Sequence, residues 1–302
     1  MSKLSVVLVN HRGWRDTIEC VGSLRKLDYA PLEIIVVENG SPDDSWERLR
    51  ALEGVRLLRL DRNLGFAGGC NVGMRAARDG GSEFVWLLNN DTLVESHAAS
   101  ALVDLARRRP DAHFFGCLIC FASDPRSLWF GGGDFDWTTG TPGHVGFMQP
   151  VTAFSSPQPS ATRWISGCSL LLRTSSLDSL GYMDEDLFLY AEDLDWQLRA
   201  GRDHPVAWIV GDCLVHHKVG RSTGSTNGRM GRLFMSRNSL KLARRYAGPR
   251  LPMWLGRWAL EFLIKPTLKG ELGLARAGLA GLMTQRTAGA DIVARFTGRA
   301  GA

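Results

Sequence analysis

Residues 83–94 read EFVWLLNNDTLV, an apolar run that stops on two amides and a carboxylate before apolar residues resume. Phe84–Leu88 has the length and the aromatic and aliphatic content of a strand buried on both faces. Strands of that kind belong to parallel sheets covered by helices on either side. Ligands of such sheets gather beyond the carboxyl ends of the strands. The triplet Asn89-Asn90-Asp91 therefore has two readings. It is the working end of the strand, with oxygen atoms for a hard divalent cation bridging phosphates, or it is an Asx-turn that merely ends it.

The same pattern extends outward in both directions. Leu4–Val9 reads as a strand ending on Asn10-His11-Arg12-Gly13, and Asp16–Leu27 as a helix through Ile18, Val21, Leu24 and Leu27. LEIIVVE (32–38) and VRLLRL (55–60) read as strands, Ser45–Leu52 and Gly68–Arg78 as helices, and Ser96–Arg108 as a helix capped by Ser96. The spacing predicts an α/β class: an open, mostly parallel sheet with right-handed crossovers. Its carboxyl ends would bring Asn10, Glu38-Asn39, Asp61-Arg62-Asn63 and Asn89-Asn90-Asp91 to one polar rim. AHFFGCLICF (112–121) continues as a strand. Residues 122–162, rich in Gly, Ser, Thr and Pro, read as a long functional loop carrying Trp129, Phe130 and Trp137. WISGCSLLLR (164–173), a helix over Glu192–Ala200, a strand over AWIVGDCLVHH (207–217) and a mostly helical stretch beyond Arg232 complete the order.

With 302 residues and 44% hydrophobic content, the chain can bury a substantial core, which excludes a disordered or minimal scaffold. The net charge of +5 conceals an asymmetry. Residues 1–200 carry 19 Lys/Arg against 26 Asp/Glu, and residues 201–302 carry 17 against 5. The basic last third suits a polyanionic partner: nucleic acid, an acidic membrane surface or a phosphorylated ligand. No apolar run approaches the ~18–20 residues that cross a bilayer. The first residues, MSKLSVVLVN, show no charged leader with a cleavage site, and six scattered cysteines predict a reduced, cytoplasmic protein. Cys117 and Cys120 form a CxxC inside an apolar run with no second pair, which reads as buried strand rather than a metal site.

Three segments could carry chemistry. Asn63–Gly73 (NLGFAGGCNVG) is a glycine-rich turn feeding a helix, suited to presenting amide hydrogens to a phosphate or to close strand–helix packing. It lacks the spacing of a dinucleotide fingerprint or a P-loop. Seven carboxylates lie between Asp178 and Asp195, and Glu192-Asp193 open a helix after the apolar LFLYA. They either cap that helix or, with pKa raised by the apolar wall, include a general base. His216 and His217 end a strand, and alternation lets only one of them face a given site.

Together, SVVLVNHRG, VVENGSPDDS, NLGFAGGCNVGMRAA, LLNNDTLV, WISGCSLLLR, GYMDEDLFLYAEDLDWQLR, VHHKVGRSTG and a later Arg237-Asn238 resemble the inverting glycosyltransferases of family 2, in their bacterial rhamnosyltransferase-like branch. The resemblance runs from about Leu4 to Tyr246. It implies a GT-A fold with a catalytic domain over 1–230, donor-binding to about 121 and acceptor-side from about 122, and a basic helical region over 231–302. It implies a nucleoside-diphosphate sugar donor (dTDP or UDP), Mg2+ or Mn2+, and a saccharide or lipid-linked acceptor. On the donor side it implies Asn10, Glu38 (where the family more often has Asp), Asn39, Asn63, Gly68, Gly69, Asn71, Asn89 and Asn90. The metal would fall to Asp91 and His217, Asn89 having replaced the first carboxylate of the family's DXD-like motif. Asp193 would be the base beside Glu192, with Asp195 in reserve, and Trp164, Gly167, Arg237 and Asn238 would lie on the acceptor side. In the last third, Trp254, Leu255, Trp258, Phe262 and Leu263 interleave with Arg257, Lys265 and Lys269, a pattern for an anionic membrane surface at the inner face, a helical subdomain or a homo-oligomer contact. A nucleotidyltransferase would need a longer basic loop after the first strand, and a nucleic-acid module would be repelled by the carboxylates around Asp193.

Overall fold

The computed structural model describes residues 2–201, 207–219 and 228–296. Its centre is a mixed sheet. Strands β1 (Leu4–Asn10), β2 (Leu32–Asn39), β3 (Val55–Leu60), β4 (Phe84–Asn89) and β5 (Thr92–Val94) come from the first third of the chain. The middle contributes β6 (Phe114–Phe121), β7 (Asp124–Phe130), β8 (Gly133–Asp136), β9 (Thr141–His144) and β10 (Ser160–Thr162), and β11 (Ser169–Arg173) and β12 (Ala207–His217) follow. The main order is β10-β12-β6-β11-β4-β1-β2-β3, with β5 on β12 and β7 on β6, while β8 and β9 form a separate hairpin. The β4-β1-β2-β3 block is parallel, and β11 runs antiparallel between β4 and β6. The alternating, mostly parallel sheet expected from the sequence is therefore present.

The sequence dictates two cores because every central strand is apolar on both faces. Leu4, Val6, Leu8, Phe84, Trp86 and Leu88 pack on one side, and Val7, Val85 and Leu87 on the other. Helices α1 (Trp14–Leu24) and α4 (Ala98–Arg108) cover the first side, while α3 (Gly65–Asp79) covers the second. The short α2 (Ser45–Leu49) links β2 to β3. On β6, Cys117 and Cys120 point to opposite faces, so the CxxC is buried strand as expected.

Two expectations are corrected. Residues 122–162 are not one loop: they hold four short strands, whose pairing with β6, β12 and each other is set by distant residues rather than local pattern. The cysteines are not all free thiols. Cys120 is bonded to Cys213, 93 residues away, because β6 and β12 are neighbours with these two Cα atoms 6.3 Å apart. The remaining four are buried and free.

Beyond β11 come α5 (Ser176–Leu180), α6 (Glu192–Ala200) and α7 (Arg229–Tyr246), then α8 (Leu251–Ala259), α9 (Lys265–Leu268), α10 (Leu272–Met283) and α11 (Gly289–Phe296). A π-helical segment, Leu260–Ile264, joins α8 to α9. Leu242, Ala243, Ala247 and Trp254 belong to the main core, so α7 and α8 are built onto the sheet domain. No described helix is long and apolar enough to cross a membrane.

Helix α3 starts at Gly65, three residues earlier than the sequence pattern suggests. Gly69 and Gly73 then lie on the face that meets β1: a Cβ at Gly73 would stand 2.1 Å from Val7 Cγ1, and one at Gly69 2.6 Å from Val9 Cγ1. Gly73→Val should therefore lower stability by about 1–3 kcal/mol through overpacking. An unchanged urea midpoint for this variant would contradict that packing.

Candidate active site

The carboxyl ends of the strands do converge. Asn10 pairs with Glu38, Val9 with Asn89, and Asn39 with Leu60 in the sheet register. Most of the amides on this rim are committed to holding it together. Asn10 Oδ1 accepts from Thr17 Oγ1 (2.9 Å), and Asn90 Nδ2 donates to the same hydroxyl (2.8 Å), tying β1 and the end of β4 to α1. Glu38, itself buried, accepts from the Ser41 amide (2.9 Å) and fixes the turn after β2. The Asn89 side chain stays half-buried at the edge.

The glycine-rich segment is corrected by its hydrogen bonds. A helix start leaves four amide donors without partners inside the helix. Here Leu64 N donates to Asn39 Oδ1 (2.9 Å), Gly65 N to Asn63 Oδ1 (2.8 Å), and Phe66 N and Ala67 N to the Phe188 carbonyl (2.7 and 3.4 Å). Asn39 and Asn63 thus serve as capping groups. Gly68 and Gly69 are buried inside α3 and present no free amide edge to a phosphate. Asn71, also buried, bonds the Met183 backbone in both directions and donates to Glu185 (2.9 Å), so it braces the 183–191 segment.

Asp91 follows β4 in the turn before β5, and β5 pairs with β12 so that Thr92 opposes His217. That register brings Asp91 Oδ1 to 3.2 Å from His217 Nε2, both residues being buried. His216 points away and meets Glu95 (2.9 Å). The next residue, Lys218, bonds Asp16 (2.8 Å) and Glu19 (2.6 Å) with its ammonium and the Asp91 carbonyl with its amide (2.9 Å), pinning the end of β12 to α1. Arg221, Ser222 and Thr223 lie outside the described residues. His217 Nδ1 is buried without a hydrogen-bond partner among the described residues, and the Trp129 ring stands edge-on 4.5 Å away. Trp129, already marked within the 122–162 stretch, and His144, which the local pattern did not mark, are brought here by β7 and β9.

Glu192 and Asp193 begin α6 behind an unusual backbone. Phe188, Tyr190 and Ala191 all have positive φ (63°, 68° and 68°) without being glycine. Such residues are held by their surroundings. Asn238 Nδ2 donates to the carbonyls of Leu187, Leu189 and Tyr190 (2.8–2.9 Å). Arg237, fully buried, donates to the Asp186 carbonyl and carboxylate, to Thr284 and Thr287 carbonyls and to Asn238. The expected acceptor-side role of Arg237 and Asn238 is corrected, because their polar atoms are spent on this clamp. Asp195 is corrected likewise. It is fully buried between Arg199, Arg245 and the Tyr246 hydroxyl (2.8–3.0 Å) and has no access to a substrate. Trp164 is buried, its indole donating to the Asp134 carbonyl (3.0 Å).

Asp193 is only partly covered, and one of its oxygens accepts from Gly167 N (2.7 Å). The residue after Gly167, Cys168, gives its carbonyl to Asn89 N (2.9 Å). A two-residue bridge thus joins the acidic pair to the Asn89-Asn90-Asp91 end of β4. Loss of hydration on burial, opposed by its amide bonds, raises the Asp193 pKa. Burial, and then the neighbouring Asp193 charge, raise Glu192 to about 8, and Glu192 Oε2 has no hydrogen-bond partner among the described residues.

A carboxylate pair of raised basicity beside a rim of strand ends fits proton abstraction from a hydroxyl, and residues 5–152 match the family described as Glycosyl transferase family 2. The chain belongs to glycosyl transferase family 2. Over 298 residues this glycosyltransferase is 28% identical to the N-acetylglucosaminyl-diphospho-decaprenol L-rhamnosyltransferase of Mycobacterium tuberculosis, across 90% of this chain and 91% of that one. It is 31% identical to glycosyltransferase GlyG of Streptococcus pneumoniae over 107 residues, 34% of this chain and 35% of that one. Among solved structures it resembles GalNAc-T7 with UDP, GalNAc and Mn2+ (TM-score 0.62, 15% identity), covering 89% of this chain and 58% of the other. It thus spans little more than half of that chain. It also resembles residues 1–349 of S. aureus TarS in complex with UDP (TM-score 0.50, 18% identity, 86% of this chain and 72% of that one). These structural likenesses carry the fold alone. Membership in the family leaves the nucleotidyltransferase and non-catalytic readings without support.

The raised Glu192 pKa has a measurable consequence. In the unfolded chain this carboxyl ionises near its ordinary 4.5, and in the fold near 8. The stabilisation of its protonated form is full below 4.5 and is lost as pH rises toward 8. Glu192→Gln should flatten the fall of unfolding free energy across that window, measured by denaturant titration at several pH values. A slope identical to that of the unaltered protein would contradict the assignment.

Proposed function

We propose that the chain is an inverting transferase that moves a sugar, rhamnose as the first reading, from a nucleoside-diphosphate donor to a lipid-linked saccharide in cell-surface polysaccharide synthesis. The observation that carries this reading is the bridge from Asp193 through Gly167 and Cys168 to the end of β4. It sets a base and a donor rim on one connected frame. The similarity to the mycobacterial rhamnosyltransferase over nine-tenths of both chains supports the choice of sugar and acceptor class. The reading divides the chain into a donor-binding half to about 121, an acceptor-side half to about 230, and the helical region beyond, with the reaction on the cytoplasmic side of the membrane.

In the mechanism, Asp193 accepts the proton of the acceptor hydroxyl as that oxygen attacks the anomeric carbon from the face opposite the diphosphate. The bond from carbon to the diphosphate oxygen breaks, and the configuration inverts. Burial makes Asp193 a stronger base than a solvated carboxylate. Gly167, whose amide bonds the carboxylate, fixes its direction and leaves the space that a side chain would fill against Phe66. Asn89, half-buried at the end of β4, is the strand-end side chain offered to the nucleotide, while Glu38, expected on the donor side, is buried and shapes the turn after β2.

Asp91 and His217 suit a divalent cation by donor chemistry, one carboxylate oxygen and one imidazole nitrogen facing each other. Bound there, Mg2+ or Mn2+ would offset charge on the departing diphosphate. No cluster of three or more such side chains exists among the described residues, so the donor's own oxygens would have to complete the site. Two results are expected. Thermal unfolding in the presence of a panel of dTDP- and UDP-sugars should rise for at least one donor, more so with Mn2+ or Mg2+. Calorimetric titration should show the cation binding weakly alone and more tightly with the nucleotide. Equal affinity in both states, or no stabilisation by any sugar nucleotide, would contradict this reading.

A further inference from the structure

Nine of the thirteen exposed large hydrophobic side chains among the described residues lie between Met253 and Met283. They are not the ones the sequence pattern suggests. Trp254, Trp258 and Phe262 are buried against the protein, and Trp254 donates to the Trp137 carbonyl (3.1 Å). The exposed set includes Leu260, Ile264 and Leu268, spaced four apart on the run from α8 to α9, and Leu272, Leu279 and Met283 on α10. Leu268 is 82% exposed and Met283 78%, and it is their clustering with the other exposed side chains that marks the surface. The two helical arms turn at Lys269-Gly270-Glu271, which sets Leu268 and Leu272 at either side of the tip. Between the arms runs a cleft of about 270 Å³ lined by Leu263, Thr267, Leu272, Ala275, Arg276 and Leu279.

We propose that this helical hairpin rests on an anionic phospholipid surface, with Leu268 and Leu272 inserted among the acyl chains and Lys265, Lys269 and Arg276 at the headgroups. The charge of the region selects the occupant. Residues 253–283, which form the hairpin, carry 4 Lys/Arg and 2 Asp/Glu, so its face is net positive: an acidic surface is attracted, while a second copy of the same face would bring the same positive charge against it. An apolar face flanked by cations, on helices too short to span a bilayer, is the pattern of an interfacial anchor. The inference rests on the proposed function only in giving the surface a purpose: it would hold the site near a lipid-linked acceptor.

The test is sedimentation of the full chain with vesicles of phosphatidylcholine alone or mixed with phosphatidylglycerol. The protein should pellet with the anionic vesicles, less so at high salt. Leu268→Asp with Leu272→Asp should lower the partition coefficient about tenfold or more, with an unchanged melting temperature because both side chains are exposed. Transfer to a water-soluble acceptor should survive in that variant. An unaltered protein that stays in the supernatant with anionic vesicles, or a double variant that pellets equally, would overturn the proposal. So would light scattering that shows a lipid-free dimer dispersed by the same double variant, since the face would then join two copies. Loss of transfer with intact vesicle binding would instead count against the function and leave this surface standing.

Discussion

The Phe188 carbonyl is where the two halves of the site meet. It accepts the amides of Phe66 and Ala67, closing the start of the donor-side helix α3, from a backbone that is itself turned to positive φ. A residue other than glycine held at positive φ costs roughly 1 kcal/mol or more, and this segment holds three. The cost is offset by Arg237 and Asn238, buried in α7, whose donors meet the carbonyls of Asp186, Leu187, Leu189 and Tyr190. Helix α7 therefore shapes the loop, the loop caps α3, and α6 begins from the loop with Glu192 and Asp193 already aimed.

The same arrangement sets the electrostatics. A carboxyl pair at a helix start is ordinarily stabilised as anions by the helix dipole and by water. Here hydration is largely removed, and two adjacent acids compete for one polar neighbourhood, so both bind protons more tightly than in solution. Asp195, two residues on, shows the contrast. It too is buried, but Arg199 and Arg245 neutralise it, and it serves the fold. Which carboxylate can act as a base is decided by which one lacks a cationic partner.

Much of this was legible in the sequence. The strand and helix alternation, the polar strand ends and the span of α6 follow from apolar periodicity, and β12 matches its expected bounds of Ala207–His217. The residues that misled are those whose local pattern fits two roles. Gly68 and Gly69 look like a phosphate turn, yet they serve close packing, a distinction that depends on where Val9 and Leu64 stand. Arg237 and Asn238 look like polar groups awaiting a ligand, but their partners lie about fifty residues away in the chain. The Cys120–Cys213 bond, the strands within 122–162 and the placing of Trp129 beside His217 are all products of long-range pairing. Local sequence carries no trace of that pairing.

The central claim is that one carboxylate, Asp193, performs proton transfer on a frame shared with the donor rim. The most direct measurement is the turnover number of Asp193→Asn together with its donor dissociation constant under the same conditions. Asparagine keeps the shape and can still accept from the Gly167 amide, so the account predicts a loss of turnover of about a hundredfold or more with donor affinity nearly unchanged. Normal turnover in that variant, with donor bound as before, would contradict it.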